Sequence, residues 1–196
     1  MNSDISTRES AAPAASLLQR IRVPAGFLFA TLVVVLSRPT KGSLAAGVAV
    51  GAAGMVIRIW AAGSIRKSRE LAVSGPYALT RNPLYLGSFL MGLGVLIAAA
   101  HWWLLLAFVI VFVLLYFPVM KREEQELTSL FQEAYTQYRR GVPLFVPRLH
   151  TGRVAGAASA QASFSWGQVR ANREYQAAAG FLAAMLLLVL KRWLQT

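Results

Sequence analysis

Long apolar runs separated by short polar segments set the pattern of this sequence. The runs cover residues 23–37, 43–62, 84–100, 102–120 and 177–190. About 20 consecutive apolar residues suffice for a helix to cross the hydrocarbon core of a bilayer. The pattern therefore predicts an all-α, polytopic membrane protein with about five transmembrane helices.

The first and last runs are the shortest, and each needs a further argument. The first follows Arg20 and Arg22 and has the length of a signal-peptide core, but no small-residue cleavage site follows Leu36. We therefore interpret it as a first span, with a signal peptide as the alternative. The last run reaches the thickness of a bilayer when Tyr175 and Trp193 serve as its interfacial ends.

The third and fourth runs are joined by little more than His101, which predicts an antiparallel helical hairpin. Pro118 is expected to kink the fourth span near its end. The second run is rich in small residues that allow close helix packing: Gly47, Gly51 and Gly54.

A single cation, Arg58, interrupts the second run near its end. A charged side chain at that depth either extends to the membrane interface or points into a polar cavity. Trp60 and the basic loop that follows favour the interface, and the cavity is the alternative.

After the fourth run, residues 121–138 change to an amphipathic helical pattern. Its apolar stripe consists of Leu127, Leu130, Phe131, Ala134 and Tyr138. At 100° per residue, Glu123 and Glu124 fall near the centre of that stripe, whereas Glu126 and Glu133 point away from it. Buried carboxylates need partners, so this pair indicates either a binding site or a helix start at which neighbouring cations hold it.

Composition and charge agree with a membrane protein and exclude several kinds of site. The chain is 56% hydrophobic and 14% charged, with a net charge of +12. Because its cations lie between apolar runs, they indicate lipid headgroups and topology rather than nucleic acid. Most of the cations fall on the side that holds the amino terminus, which predicts that this side is cytoplasmic. The absence of cysteine excludes a thiolate nucleophile, and two histidines are too few for a histidine metal site.

Residues 74–94 combine turn signals, a cation and aromatic side chains with the start of the third run. Pro83 suits the first position of a helix, where its missing N–H is not needed. Polar and aromatic side chains cluster at this helix start: Tyr77, Arg81, Asn82 and Tyr85. Unpaired backbone N–H groups favour an anionic ligand there, and an ordinary interfacial anchor is the alternative. The hairpin returns the chain to the same face, so this loop and the carboxylates are expected to lie close together.

Two motifs flank the predicted hairpin, GPYALTRNPLYLG before it and REE followed by spaced L, F, Y, Y and VP after it. In this order they resemble the membrane methyltransferases related to isoprenylcysteine carboxyl methyltransferase, and phospholipid methyltransferases share the motif style. The resemblance covers residues 54–147. It departs at Asn82, where family members commonly have histidine. Asparagine can orient a ligand through hydrogen bonds but cannot titrate near neutral pH.

The resemblance implies S-adenosylmethionine as methyl donor and a lipophilic small-molecule or lipid acceptor, methylated on a carboxyl or an amine. It implies catalytic roles for Arg81, Asn82 and Glu124. The implied cofactor-binding residues are Tyr77, Arg81, Asn82, Pro83, Tyr85, Gly87, Glu123, Glu124, Val142 and Pro143. Methyl transfer from a sulfonium needs alignment and a dry pocket rather than a covalent nucleophile.

The predicted organisation has four parts: a tail (1–19), a methyltransferase core of four spans and a cytoplasmic helix (20–147), a linker with an interfacial segment (148–176) and a fifth apolar helix (177–196). The expected location is the bacterial inner membrane, with the active site on the cytoplasmic side. The expected partners are the acceptor and membrane lipids, without nucleic acid. The alternative is a non-enzymatic scaffold or small transporter subunit whose inward charges line a solute path.

Overall fold

A computed structural model of the protein describes residues 26, 28–65, 71–148 and 164–195. Within these ranges the chain forms helices, turns and loops and no strand, which confirms the all-α class. The helices are α1 (28–36), α2 (Lys41–Ser64), a short 3-10 helix (Gly75–Ala78), α3 (Pro83–Ala99), α4 (Trp102–Gly141), α5 (Trp166–Ala171) and α6 (Glu174–Leu194).

The chain divides into two compact units, Met1–Ser37 and Arg38–Thr196. Helix α1 belongs to the first unit, and all the other helices belong to the second. The predicted tail (1–19) and most of the predicted linker (149–163) lie outside the described residues. The site described below is built entirely from the second unit.

Three described helices, α2, α4 and α6, are long and apolar enough to cross a membrane. Helix α3 is equally apolar in character but has 17 residues, fewer than a typical span. The prediction of a multi-span helical membrane protein is therefore confirmed. The predicted number of five spans is not, because α3 is short and the first run begins outside the described residues.

Small residues let α2 and α3 pack in close antiparallel contact. A methyl group on Gly54 would lie 2.7 Å from the carbonyl oxygen of Gly87, and one on Gly94 would lie 2.5 Å from that of Gly47. Carbon and oxygen atoms cannot approach so closely without a shift of the backbone, so the two helices touch only because these positions lack a Cβ. The close packing predicted for the glycines of the second run is confirmed.

Helices α3 and α4 form the predicted hairpin, with two residues (100–101) between them. The ring of Phe89 lies 4.9 Å from that of Phe112. One turn earlier in α3, Tyr85 contacts Tyr116, which lies one turn later in α4, with ring centroids 5.4 Å apart. This antiparallel register brings the start of α3 beside the polar second half of α4.

The predicted fourth span continues without a break into the amphipathic segment as far as Phe131, and a kink then divides the 40 residues of α4 into two helical stretches. Its backbone departs from helical angles at Gln132, with φ 43° and ψ −114°, and not at Pro118, where the kink is predicted. The break also changes the predicted stripe. Past the break, Ala134 is exposed, because the 100° rotation per residue does not continue through Gln132, whereas Tyr138 is buried as predicted. Leu130, which precedes the break, is exposed as well.

Candidate active site

A cavity of about 680 Å³ opens between the ends of α2, α3, α4 and α6. This volume lies in the range of sites for small molecules and cofactors. The polar and phenolic groups in its wall are Arg58, Tyr77, Arg81, Asn82, Tyr85, Ser88, Tyr116, Glu123, Glu126, Tyr138, Asn172 and Glu174. The loop before α3 and the polar half of α4 therefore lie side by side, as the hairpin predicts.

Arg81 and Glu124 form a buried ion pair behind the cavity wall. Nη1 of Arg81 lies 2.5 Å from Oε1 of Glu124, and both side chains are less than one-tenth exposed. Lys121 donates to the other carboxylate oxygen at 2.9 Å, and Arg139 lies 3.7 Å from the first. Burial alone would raise the pKa of Glu124, but the hydrogen bonds from Lys121 and Arg81 lower it below its usual value. Glu124 therefore stays ionised, and its charge is compensated by cations.

Glu123 lies in the cavity wall with a different set of contacts. It accepts a hydrogen bond of 2.7 Å from the hydroxyl of Tyr85 and takes part in no ion pair with another described residue. Its negative charge is thus available to a ligand, unlike that of Glu124. Glu126, predicted to point away, also reaches the cavity wall, although it is largely exposed and paired with Arg122 at 3.2 Å.

Two buried polar atoms of cavity residues have no hydrogen-bond partner among the described residues: the hydroxyl of Tyr77 and Nε of Arg81. Burying such a group without a partner costs about 1–3 kcal/mol. Burial raises the pKa of the Tyr77 hydroxyl well above its usual value, and the charges of Glu123 and Glu174 raise it further. Tyr77 therefore keeps its proton and presents a hydrogen-bond donor to the cavity.

Pro83 begins α3 and Asn82 precedes it as the N-cap residue, as predicted. The side chain of Asn82 does not cap the helix but donates to the carbonyl oxygen of Leu144 at 3.0 Å. Beside it, the backbone N–H of Arg81 donates to the carbonyl oxygen of Pro143 at 2.9 Å. These bonds join the start of α3 to the strap, the name used here for residues 141–147.

Four residues of the predicted cofactor set lie outside the cavity wall: Gly87, Glu124, Val142 and Pro143. Gly87 faces α2, where an added methyl group would collide with the side chain of Arg58. Val142 is buried against two tyrosines of α4 and forms a small apolar core with them. These two positions support the walls of the cavity from outside.

The cavity also contains an ion pair that the sequence analysis missed. Nε and Nη2 of Arg58 donate to the two carboxylate oxygens of Glu174 at 2.7 and 2.9 Å, and Nη1 donates to the hydroxyl of Ser88. The side chain of Arg58 thus points into the cavity, and its favoured interpretation as an interfacial residue is corrected. The sequence does contain a signal for this pair, because buried charges are usually paired. Arg58 is the one cation within the second apolar run, and Glu174 is an acid just before the last run.

Comparison with known proteins finds a family match for the middle of the chain. Residues 49–134 match the model of the phospholipid methyltransferase family. That segment, which contains the motif before α3 and the carboxylates of α4, belongs to this family of methyltransferases. The resemblance predicted from the two motifs is confirmed. With its long apolar helices, the protein is an integral membrane protein carrying a methyltransferase-family segment.

Curated relatives match less than half of the chain. A cobalt-zinc-cadmium resistance protein, CzcN, of Cupriavidus metallidurans is 40% identical over 96 residues, which are 47% of this chain and 43% of the relative. A nickel-cobalt-cadmium resistance protein, NccN, of Alcaligenes xylosoxydans is 38% identical over 96 residues, 47% of this chain and 44% of the relative. A protein-S-isoprenylcysteine O-methyltransferase of Schizosaccharomyces pombe is 33% identical over 81 residues, 41% of this chain and 34% of the relative. The chain thus spans less than half the length of these relatives, and no solved structure matches it.

Proposed function

We propose that the protein transfers a methyl group from S-adenosylmethionine to a lipophilic acceptor at the cytoplasmic face of the bacterial inner membrane. The observation that carries the proposal is the polar cavity at the ends of apolar helices, much of which is built by the family-matched segment. When bound, the cofactor supplies an electrophilic methyl group on a sulfonium. The methylated group of the acceptor is a carboxyl or an amine.

The cavity residues suit the groups of S-adenosylmethionine. Glu123, with its available charge, suits the ammonium group or the ribose hydroxyls. Arg81 has a buried Nε without a partner among the described residues and adjoins the first turn of α3, so this helix start suits a carboxylate. Tyr77 adds an unpartnered hydroxyl and, with Tyr85, an aromatic surface for the adenine.

Contacts within and behind the wall fix the geometry that methyl transfer needs. Glu124 holds the guanidinium of Arg81, and Asn82 holds the strap against the start of α3. In-line transfer depends on alignment of the reacting atoms and on exclusion of water, and rigid supporting contacts supply both. No residue of the chain has to form a covalent intermediate.

An aromatic cluster beside the cavity supports a lipophilic acceptor. Tyr85 and Tyr116 belong to the cavity wall, and the rings of Phe89, Phe112 and Phe145 continue from them between α3, α4 and the strap. Such a surface is suited to an isoprenoid or acyl chain that enters from the bilayer. The polar end of the cavity then receives the head group.

Two experiments test the proposal. Isothermal titration of the detergent-purified protein with S-adenosylmethionine should give saturable binding, weakened in Arg81→Lys and unchanged in Arg122→Lys, whose side chain is exposed. Incubation with labelled cofactor and extracted membrane lipids should then transfer the label to a lipid fraction. An absence of cofactor binding by the wild-type protein would favour the scaffold or transporter subunit instead.

The names of two relatives suggest a role for the protein in the cell, beyond the reaction itself. CzcN and NccN are named for resistance to divalent metals. We propose that methyl transfer by this protein to a membrane component contributes to such resistance. A strain that lacks the protein should grow less well in zinc or cobalt, and wild-type protein, but not Arg81→Lys, should restore growth. Equal restoration by both would separate resistance from methyl transfer.

A further inference from the structure

A second polar cluster lies in the cavity wall, apart from the Arg81–Glu124 pair. It consists of Arg58 from α2, Ser88 from α3 and Glu174 from α6. Glu174 is the first residue of α6 and lies outside residues 49–134, the segment that matches the family model. The last helix therefore completes a wall that the family segment alone leaves open.

The hydrogen bonds of this cluster leave part of Arg58 available to a ligand. An arginine side chain has five N–H groups. Glu174 accepts from Nε and Nη2, and Ser88 accepts from Nη1. Among the described residues no further partner takes the second N–H of either terminal nitrogen, and the side chain is 21% exposed in a cavity wall. Paired N–H groups of this kind bind an anionic oxygen well.

Glu174 fixes the guanidinium in this orientation. Both of its carboxylate oxygens accept hydrogen bonds from Arg58, and its side chain is only 7% exposed. On the other side, Gly87 leaves the space in which the side chain of Arg58 passes along α3. The guanidinium is therefore held by Glu174 and Ser88 before any ligand binds, and its aliphatic stem has room along α3.

The depth of the cluster distinguishes its ligand from the cofactor. Ser88 lies five residues into α3, about 7.5 Å further along the helix axis than Pro83. Arg58 likewise lies within the long apolar helix α2, more than one turn before its end. A lipid acceptor keeps its chain in the bilayer and therefore presents its head group from the membrane side of the cavity, where Arg58 and Ser88 lie. A water-soluble cofactor enters from the aqueous side and meets Arg81 at the start of the helix.

We propose that Arg58 binds an anionic oxygen of the head group of the methyl acceptor, and that Glu174 is the positioning residue that holds Arg58 in the cavity wall. This inference rests on the proposed methyltransferase function. The anionic oxygen comes from a carboxylate or from the phosphate of a phospholipid. Helix α6 thereby contributes to the choice of acceptor.

Binding of two probes to the full-length protein in detergent tests the inference without any turnover. The probes are N-acetyl-S-farnesylcysteine, which has a carboxylate, and dioleoylphosphatidylethanolamine, which has a phosphate and an amine. Arg58→Lys should weaken binding of one probe about 10- to 100-fold and change the Kd of S-adenosylmethionine less than about twofold. Loss confined to the first probe identifies a carboxylate, and loss confined to the second identifies a phosphate. Unchanged binding of both probes would overturn the inference.

A charge-reversal pair separates this role from a merely structural one. Arg58→Glu and Glu174→Arg should each lower the melting temperature, because each places two like charges together. The double variant restores an ion pair between α2 and α6, so the melting temperature should recover, while probe binding should stay weak because the cation has moved to α6. Recovery of both would show that the pair only joins helices.

A wild-type protein that binds a probe but not S-adenosylmethionine would refute the proposed function and leave the assignment of Arg58 standing.

Discussion

The side-chain amide of Asn82 donates a hydrogen bond of 3.0 Å to the carbonyl oxygen of Leu144, across 62 residues of sequence. This bond joins the start of α3 to the strap that follows α4. A hydrogen-bond donor at position 82 can therefore hold the strap without gaining or losing a proton. The resemblance that places histidine here is compatible with the same use, since a histidine N–H can also donate.

Substitutions of Asn82 should separate orientation from proton transfer. Asn82→Ala removes the donor to the strap and should weaken cofactor binding about 5- to 10-fold, which corresponds to one lost hydrogen bond. Asn82→His should be nearly neutral. For a carboxylate acceptor, whose pKa lies near 4, the rate should be flat between about pH 6 and 8. A steep rise across that interval, or a large gain in Asn82→His, would instead indicate a missing base and an amine acceptor.

The three glutamates at the start of the polar half of α4 should differ in their effects. Glu123→Gln removes the available charge and should weaken S-adenosylmethionine binding about 10- to 100-fold with little change in melting temperature. Glu124→Gln should weaken binding and also lower the melting temperature, because Arg81 loses its buried partner. Glu126 reaches the cavity wall but is largely exposed and already paired with Arg122, so Glu126→Gln is the control and should change neither. Small, equal effects of all three would contradict these roles.

Arg81→Lys should impair cofactor binding even though the charge is retained. A lysine ammonium can pair with Glu124, but it cannot also present the planar fork that a carboxylate ligand accepts. We expect a loss of affinity of about tenfold, measured by titration with S-adenosylmethionine. Arg122→Lys, on the exposed face of α4 and outside the cavity wall, serves as the control. Full affinity in Arg81→Lys would mean that Arg81 is only an interfacial anchor.

Gly87→Ala should disturb the site from behind. The added methyl group would meet the side chain of Arg58 and the carbonyl oxygen of Gly54, so α2 and α3 would have to separate. Overpacking of this kind destabilises by about 1–3 kcal/mol, which a thermal melt detects. Gly180→Ala in α6, where the methyl group meets nothing within 4 Å, is the matched control and should not destabilise. An unchanged melt in Gly87→Ala would argue against close contact of the two helices.

Cysteine labelling should test the proposed orientation, because the chain has no cysteine of its own. Ser129→Cys lies on the exposed face of α4 near the cavity and should react only from the cytoplasmic side. Gly42→Cys, at the first turn of α2, has open space around it and should react only from the other side. Labelling of both from one side would require a different path of α2 through the membrane.

Elements with strong local signals could be predicted from the sequence. Pro83 after Asn82 marked the start of α3, the short joint at 100–101 marked the hairpin, and the glycines of α2 marked a close helix contact. The hairpin also placed the cavity between the loop before α3 and the start of the polar half of α4. Each of these follows from backbone chemistry or chain connectivity within a few residues.

The remaining features depend on contacts between distant segments. Arg58 and Glu174 are 116 residues apart, so no periodicity could pair them. The assumption of a regular helix through Gln132 misplaced Ala134, because one residue with non-helical angles rotates everything after it. Gly87 lies in a motif, yet it faces α2 rather than the cavity. The face of α3 on which Gly87 lies is set by helix packing, which cannot be predicted from the motif.

The length of α3 has a consequence for the surrounding lipid. Its 17 residues rise about 25 Å, whereas a typical hydrocarbon core is about 30 Å thick. With the joint at 100–101 held at one surface, the end at Pro83 falls about 5 Å short of the other. Local thinning of the bilayer, or flanking side chains that reach to the headgroups, accommodates a helix of this length. Where the bilayer thins, the headgroup layer dips toward the cavity, and a thicker membrane would deepen that dip.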